Sequence, residues 1–392
     1  MSAPRPDAPR IPSNIPGQTE QSWSAHLPAR SGILTVILVS LGIAFGALAL
    51  IVVIGYLALG LGAAGVAIAA VLALIPLAIV LFAIRWIDRW EPEPRAALWF
   101  AFLWGAGVAV AAALIFDLGV QLASAASGVA LQNQFAQSVL QAPIVEEVGK
   151  GLGILLVLWA GRRYFDGPVD GLVYAATVAA GFAFTENILY FGSTLIEGGA
   201  GAVVPVFIAR GIFSPFAHII FTSCTGLALG VASRRTGGFG AVGWFLLGLV
   251  PAVALHALWN GALLVVTDVI GYYAVVQVPI FASWVALVLV LRVQERRITR
   301  QRLTEYAAVG WFTPSEVELV SSFSGRRAGR MWARGHADAS RKSAAMAALI
   351  RDATRLAQTR HRVASGRDSI GRSPDERTLL DKVAADRRAL LS

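Results

Sequence analysis

The sequence predicts an all-α fold: a polytopic membrane bundle of about eight transmembrane helices with a partly helical, basic cytosolic tail. Three observations predict it. Hydrophobic residues make up 56% of the 392-residue chain and charged residues only 15%, against about 25% charged in ordinary soluble domains. Between Ile33 and Leu291 the charges are almost confined to short clusters separating long apolar runs. Each run is close to the roughly 20 residues that a helix needs to cross a hydrocarbon core about 30 Å thick. Finally, the runs do not alternate apolar with polar residues, as the strands of a membrane barrel would.

Residues 1–32 are polar and rich in Pro, Ser and Arg. They predict a disordered cytosolic leader, and the run that follows is too long for a signal peptide. The spans are expected at 33–59, 64–84, 96–123, 138–160, 170–191, 203–231, 239–266 and 272–291. Their orientation follows from Lys and Arg in the loops. The loops at Arg85, Arg89 and Arg95, at Arg162 and Arg163, at Arg234 and Arg235, and the exit at Arg292, Arg296 and Arg297 are basic. The intervening loops near 60–63, 124–137, 192–202 and 267–271 contain neither residue. This alternation places both termini in the cytosol and requires an even number of spans.

The single cysteine, Cys224, lies in an apolar run. One cysteine excludes an intrachain disulfide and a cysteine zinc cage, and Cys224 is expected to pack as a small hydrophobe. The tail, 292–392, holds 21 Lys and Arg against 11 Asp and Glu, so the whole chain's net charge of +9 resides there. Thr313-Pro314-Ser315-Glu316 and Ser373-Pro374-Asp375-Glu376 both read as helix starts. Each has a hydroxyl at the cap, Pro in the first turn and Glu three residues after the cap. Such a tail is attracted to anionic lipid heads. No nucleic-acid recognition motif accompanies its arginines, so no specific nucleic-acid partner is expected. Its simplest reading is positive ballast with some surface helices.

The three expected regions are therefore a leader over 1–32, a membrane domain over 33–291 and a basic tail over 292–392. The chemistry lies in the second. An ionisable group at the centre of a membrane helix costs about 2.5–3.5 kcal/mol and usually faces a cavity or a partner. The fourth span contains Glu146, Glu147 and Lys150, spaced so that the ammonium reaches either carboxylate. Adjacent carboxylates in a low dielectric cannot both ionise cheaply, an arrangement suited to general acid–base work. An ion pair locking two helices would use the same residues. Lys150 is the only lysine of the apolar region, the others being Lys342 and Lys382. The fifth span carries Glu186. The sixth carries Arg210, Ser214, His218 and Thr222 at four-residue spacing, which predicts one polar helix face. Pro205 and Pro215 in that span would loosen its hydrogen bonding, which is tolerated where a cavity is lined. The seventh places His256 and Asn260 four residues apart.

Depth links these residues. Counted from the outer ends of their helices, Glu146 and Glu147 lie roughly eight or nine residues in, Glu186 about five, Arg210 about seven, His256 about ten and Asn260 about six, with His218 deepest. Most of the set therefore shares one layer in the outer half of the membrane, which predicts a single polar cavity opening outward.

At these residues the chain resembles a known family. Glu-Glu-x-x-Lys at 146–150, Phe-x-x-x-Glu at 182–186, the stretch from Arg210 through His218 to Thr222, and His-x-x-x-Asn at 256–260 are similar to the motifs of PrsW-type intramembrane proteases. Those proteases are related to the wider CAAX-prenyl-protease and bacteriocin-processing superfamily. The resemblance covers about residues 80–291. It implies cleavage of a membrane-associated protein, such as an anti-sigma factor, near the extracytoplasmic face. It also implies roles: Glu146 as general base, with Glu147 and Lys150 supporting its charge, and Glu186 and His218 on a water or a divalent metal. His256 and Asn260 would complete the metal site or donate to the oxyanion. Glu186, His218 and His256 would be the ligands, and zinc accepts such a set. A metal-free glutamate mechanism would use the same residues. Glu186 stands where the wider superfamily has His. No His-Glu-x-x-His sequence and no Gly-x-Ser-x-Gly elbow is present in the apolar region, and no pair of aspartates occupies span interiors, where Asp117 stands alone. Two other classes remain. A proton-coupled transporter would use buried relays, yet the first and last four spans show no matching polar pattern. A scaffold has little use for several costly buried charges in one layer.

Overall fold

The computed structural model describes residues 33–128, 133–162, 165, 167–364 and 376–392. The leader, and the cap at Ser373–Asp375, lie outside them. The described residues are mostly helical and contain no strand. They divide into two compact units, one ending at Leu289 and one beginning at Val290.

The membrane unit begins with α1 (Ile33–Ile87), which is 55 residues long and broken at Gly62, where φ is 71° and ψ 153°. A side chain there would meet nothing within 4 Å, so the backbone conformation, and not crowding, requires glycine. The break falls in the gap between the first two expected spans. Next come α2 (Arg95–Leu103), a π-helical stretch (Trp104–Ala109) and α3 (Val110–Ser127). A second π-helical stretch (Ala136–Gln141) leads into α4 (Ala142–Ala160), which has Pro143 in its first turn. α5 (Pro168–Phe207) is broken at Gly199. α6 spans Ala217–Arg235 and α7 spans Gly240–Val265. After the short α8 (Val269–Tyr272), α9 (Val278–Ala308) runs past Arg292 into the tail without interruption.

Five stretches of the described residues are long and apolar enough to cross a membrane: 36–87, 95–127, 168–235, 240–262 and 269–308. The chain is a multi-pass membrane protein. α4 is not among the five, since its 19 residues hold Glu146, Glu147 and Lys150. The expected sixth span is not one helix. After α5 the chain forms a π-helical stretch over Ile208–Phe213, turns at Ser214–Phe216 and restarts as α6. Pro215 has no N–H to give, and the Ser214 hydroxyl caps the break by donating to the Ala209 carbonyl at 2.7 Å. Arg210 and His218 are thus on separate segments rather than on one helix face.

α5 is the hub, packed against α1, α2, α6 and the 104–109 stretch. Its contact with α6 is backbone to backbone. A Cβ on Gly171 would lie 2.0 Å from the Gly226 carbonyl oxygen, and one on Gly226 would lie 2.3 Å from that of Gly171. Small residues give membrane helices this close approach. Gly226→Ala is therefore expected to force the two helices apart, costing on the order of 1–3 kcal/mol. A lower unfolding temperature of the detergent-solubilised chain would register it, and an unchanged one would show that the contact can relax.

The tail unit is more than ballast. α10 (Pro314–Ser321), α11 (Phe323–Arg334), α12 (Ala339–Ala364) and α13 (Glu376–Leu391) close over a core that includes Leu303, Phe312, Val320, Leu356 and Leu379. The cap at Thr313 forms as expected: the Glu316 N–H donates to Thr313 Oγ1 at 3.2 Å, and the Thr313 N–H to Glu316 Oε2 at 2.8 Å. Glu316 also accepts two hydrogen bonds from Arg387, at 2.6 and 3.0 Å, which ties α13 to α10. Burial, and then the neighbouring Asp352 carboxylate, push the Asp386 carboxyl up to about 6. The folded tail therefore holds this proton more tightly than the unfolded chain, and its stability falls as pH rises from about 4 through 6. Amide exchange of α13, corrected for intrinsic rates, should lose protection over that interval. Asp386→Asn should remove that dependence and protect α13 better at pH 7.

Candidate functional site

α4 places Glu146, Glu147 and Lys150 toward the bundle centre. All three are buried: 9% exposed for Glu146 and 0% for both Glu147 and Lys150. The Lys150 Nζ donates to Glu147 Oε1 at 2.8 Å and to Glu146 Oε2 at 3.2 Å. It also lies 3.1 Å from His218 Nδ1 on α6 and 3.9 Å from the centre of the Phe182 ring on α5. An ammonium can only donate, so His218 Nδ1 accepts and carries no proton. The proton is then on Nε2, which donates to Glu186 Oε2 at 2.8 Å. Glu186 is also paired with Arg210 Nη2, and Arg210 Nε donates to Asn187 Oδ1 at 2.8 Å.

Glu147 is enclosed. Besides Lys150 it accepts from Thr222 Oγ1 at 2.8 Å and lies 3.1 Å from His256 Nδ1. The other nitrogen of His256 faces Glu146 Oε2 at 3.9 Å. The His256 ring is sandwiched in place, stacked on Phe221 at 4.9 Å and edge-on to His218 at 5.1 Å. Glu146 and Glu186, in contrast to Glu147, both face a cavity in the bundle.

One connected cluster thus joins Glu146, Glu147, Lys150, Glu186, His218 and His256, residues from four helices separated by up to 110 positions. Arg210 and Thr222 join it as well. The layer inferred from depth is therefore a contact network. Asn260 is elsewhere: its amide donates to the Ser138 carbonyl at 2.9 Å, tying α7 to the stretch before α4. Asn187 went unnoticed in the sequence, although it adjoins Glu186. The hydrogen-bonded group of two carboxylates and a phenol formed by Asp88, Glu93 and Tyr174 was also missed. Tyr174 donates to Glu93 Oε2 at 2.6 Å, and the Glu93 N–H to Asp88 Oδ1 at 3.0 Å. Burial raises the Glu93 carboxyl well above the usual range. The run Glu91-Pro92-Glu93-Pro94 was its only signal.

Three side chains present donors that could hold a metal ion. A carboxylate oxygen of Glu146 and a ring nitrogen each of His218 and His256 lie within 4.8 Å of one another. Glu186, the carboxylate expected from the sequence, lies outside this triad and reaches it through His218. Two imidazoles and a carboxylate are a set that zinc accepts. Tetrahedral ligands about 2.1 Å from a metal are roughly 3.4 Å apart, so the triad must contract and Lys150, 3.2 Å from Glu146 Oε2 and 3.1 Å from His218 Nδ1, must withdraw from it. Glu146, Glu147 and Glu186 face Lys150 and Arg210 as the cluster's permanent cations, a net of one negative charge that attracts a cation.

Comparison with known proteins follows the same residues. A family model described as PrsW family intramembrane metalloprotease matches residues 93–284. Protease PrsW of Geobacillus kaustophilus is 31% identical over 213 residues, which is 49% of this chain and 88% of that protein. Protease PrsW of Clostridioides difficile is 32% identical over 155 residues, covering 40% of this chain and 62% of the relative. Protease PrsW of Bacillus subtilis is 30% identical over 156 residues, 40% and 66% respectively. No solved structure matches the chain.

Proposed function

Because this chain belongs to the PrsW family of intramembrane metalloproteases, we propose that its buried cluster is the site at which a membrane-protein substrate is hydrolysed. The observation that carries this reading is the convergence of Glu146, Glu147 and His218 on the fully buried Lys150, with His256 joined to it through Glu147 and Glu186 through His218. Glu146, His218 and His256 would hold the metal, and zinc suits the two nitrogens and one oxygen. Bound there, a metal would supply a Lewis acid and a more acidic water. The remaining residues have their own work. Glu147 fixes the His256 ring through Nδ1 and is itself held by Thr222 and Lys150. Glu186, on the cavity wall, is the acceptor for the proton of the attacking water. Once it is protonated, Arg210 loses its ionic partner and can donate to the oxyanion.

A second reading rests on Lys150. Its ammonium already occupies the focus of Glu146 and His218, so a metal-free site with Glu146 as base uses the same geometry. Chelation separates the two. A strong chelator is expected to abolish cleavage by the reconstituted protein, and zinc to restore it. The purified chain should hold on the order of one metal, which His256→Ala loses. Full cleavage in chelator by a metal-free chain would establish the glutamate mechanism instead.

The alternating basic loops support cytosolic termini, with the site in the outer half of the bilayer. The substrate class implied by the resemblance is a membrane protein with a single span, such as an anti-sigma factor. The membrane part, 33–291, is then the protease body. The tail exposes Arg327, Arg334, Arg341, Arg351, Arg377 and Arg388, charges that suit anionic lipid heads; no specific nucleic acid is implied.

A further inference from the structure

A cavity of about 180 Å³ opens beside Glu146 and Glu186, between α1, α3, α4 and α5. Its walls are otherwise mainly apolar, with Leu57, Val110, Ala113 and Leu114 among them. Apolar cavities of about 150 Å³ take up a benzene-sized guest, so this one has room for a Leu, Met or Phe side chain. Two of its lining residues, Phe116 and Tyr190, are 48% and 43% exposed. Its mouth is therefore on the outer surface of the helix bundle, where an apolar group can enter from the side.

One end is polar for no evident structural reason. Asp117, on α3, also lines the cavity, and its partners are amides rather than a cation. Gln121 Nε2 donates to Oδ2 at 2.7 Å, and Gln137 and Gln141 Nε2 donate to Oδ1 at 2.8 and 3.3 Å. Gln137 and Gln141 belong to the π-helical stretch before α4 and line the same cavity. π-Helical turns recur at functional sites. With Nε2 of Gln137 committed to Asp117, its Oε1 points another way. A peptide bond can be cut only where the substrate helix has opened, and each main-chain N–H and C=O released in an apolar setting costs several kcal/mol unless paired. A carboxylate and glutamine amides next to the reacting carboxylates offer such partners.

We propose that this cavity is the pocket for one apolar, Leu- to Phe-sized side chain of the substrate next to the bond to be cut, and that Asp117 with Gln137 forms a polar wall that pairs with the opened substrate main chain. The proposal rests on the protease reading for its chemistry but not for its test. The probe is a single-span Leu/Ala peptide with Lys flanks, carrying one photoactivatable leucine at successive positions of its outer juxtamembrane segment. It is irradiated with the full-length chain in liposomes, and in the same samples cleavage is followed. One probe position is expected to label residues 110–117 and 186–190. Ala113→Trp, which fills the cavity, should reduce that labelling at least tenfold, with Ala113→Leu as a milder filler if the tryptophan prevents folding. Asp117→Leu should weaken labelling severalfold, and in any cleaved peptide Leu→Gly at the labelled position should slow the cut at least tenfold. Labels elsewhere, no labels, or labelling indifferent to both fillers would overturn the pocket. Labelling in the cavity without cleavage would uphold the pocket and count against the protease reading. Cleavage with labels elsewhere would do the reverse.

Discussion

Replacing Lys150 by methionine is expected to reduce cleavage by about 10²–10⁴-fold and to destabilise the membrane unit by about 3–5 kcal/mol. Methionine conserves the length and apolar stem of the side chain but removes its charge. Lys150 is fully buried and contacts Glu146, Glu147 and His218 at 3.2, 2.8 and 3.1 Å. Without the ammonium, two carboxylates on successive residues of α4 would share one low-dielectric site with only Thr222 and His256 as donors. One would have to protonate, or the helix would have to shift. Either change disturbs the acid–base balance of the layer. Lys150→Arg should not rescue activity. The space is closed by the Phe182 ring at 3.9 Å, and a planar guanidinium cannot place one nitrogen at the meeting point of three partners. Rates in proteoliposomes, with thermal unfolding of the same preparations, check both halves. An active and stable Lys150→Met chain would remove Lys150 from the centre of the site.

Much of this was legible before any coordinates. The alternation of loops with and without Lys and Arg suggests the helix order, and the break at Gly62 falls between the first two expected spans. Counting depth along antiparallel helices brings Glu146, Glu147, Glu186, Arg210, His256 and Asn260 to roughly one level, with His218 deeper, because a helix converts sequence position into height at a fixed rise per residue. Height is only one coordinate. It says nothing of direction around the axis, so Asn260, at a suitable depth, faces Ser138 instead of the cluster. The even spacing from Arg210 to Thr222 predicted one face of one helix. Pro215 ends that helix, and Arg210 reaches His218 only through Glu186. Likewise, the pairing of Asp117 with Gln137 joins residues 20 apart in separate segments, a relation no local pattern announces. In the tail, the Thr313 cap was readable because it is local. The core that gathers Phe312, Leu356 and Leu379 was not, since it depends on how helices distant in sequence pack.

Adjacent carboxylates of the same chemistry should respond differently to the same change. Glu146→Gln is expected to lower cleavage about 10²–10⁴-fold while leaving the fold nearly as stable as before. Glu146 is on the cavity wall, retains slight exposure, and has Lys150 as its close partner. After the change Lys150 still has Glu147, and the glutamine oxygen can still accept from it. Glu147→Gln should lose both activity and stability. Glu147 is closed off completely, with Lys150, Thr222 and His256 arranged around its two oxygens. A glutamine must turn its NH₂ toward one of these groups. Toward Lys150 it meets a donor, and a buried donor facing a donor costs about 1–3 kcal/mol, more beside a charge; toward Thr222 the hydroxyl must turn to accept and find another acceptor for its own proton. Toward His256 it can be satisfied only if the ring gives up its Nδ1 proton, and that rotates or retautomerises the imidazole that Glu147 holds. Unfolding temperatures therefore separate the two variants where cleavage does not. The metal content separates them again: Glu146→Gln removes a charged donor from the triad, whereas Glu147→Gln leaves all three donors in place but misdirects one. Equal stability in the two variants would mean that Glu147 is not the buttress of the site, and that its burial serves only to fill the centre of the bundle.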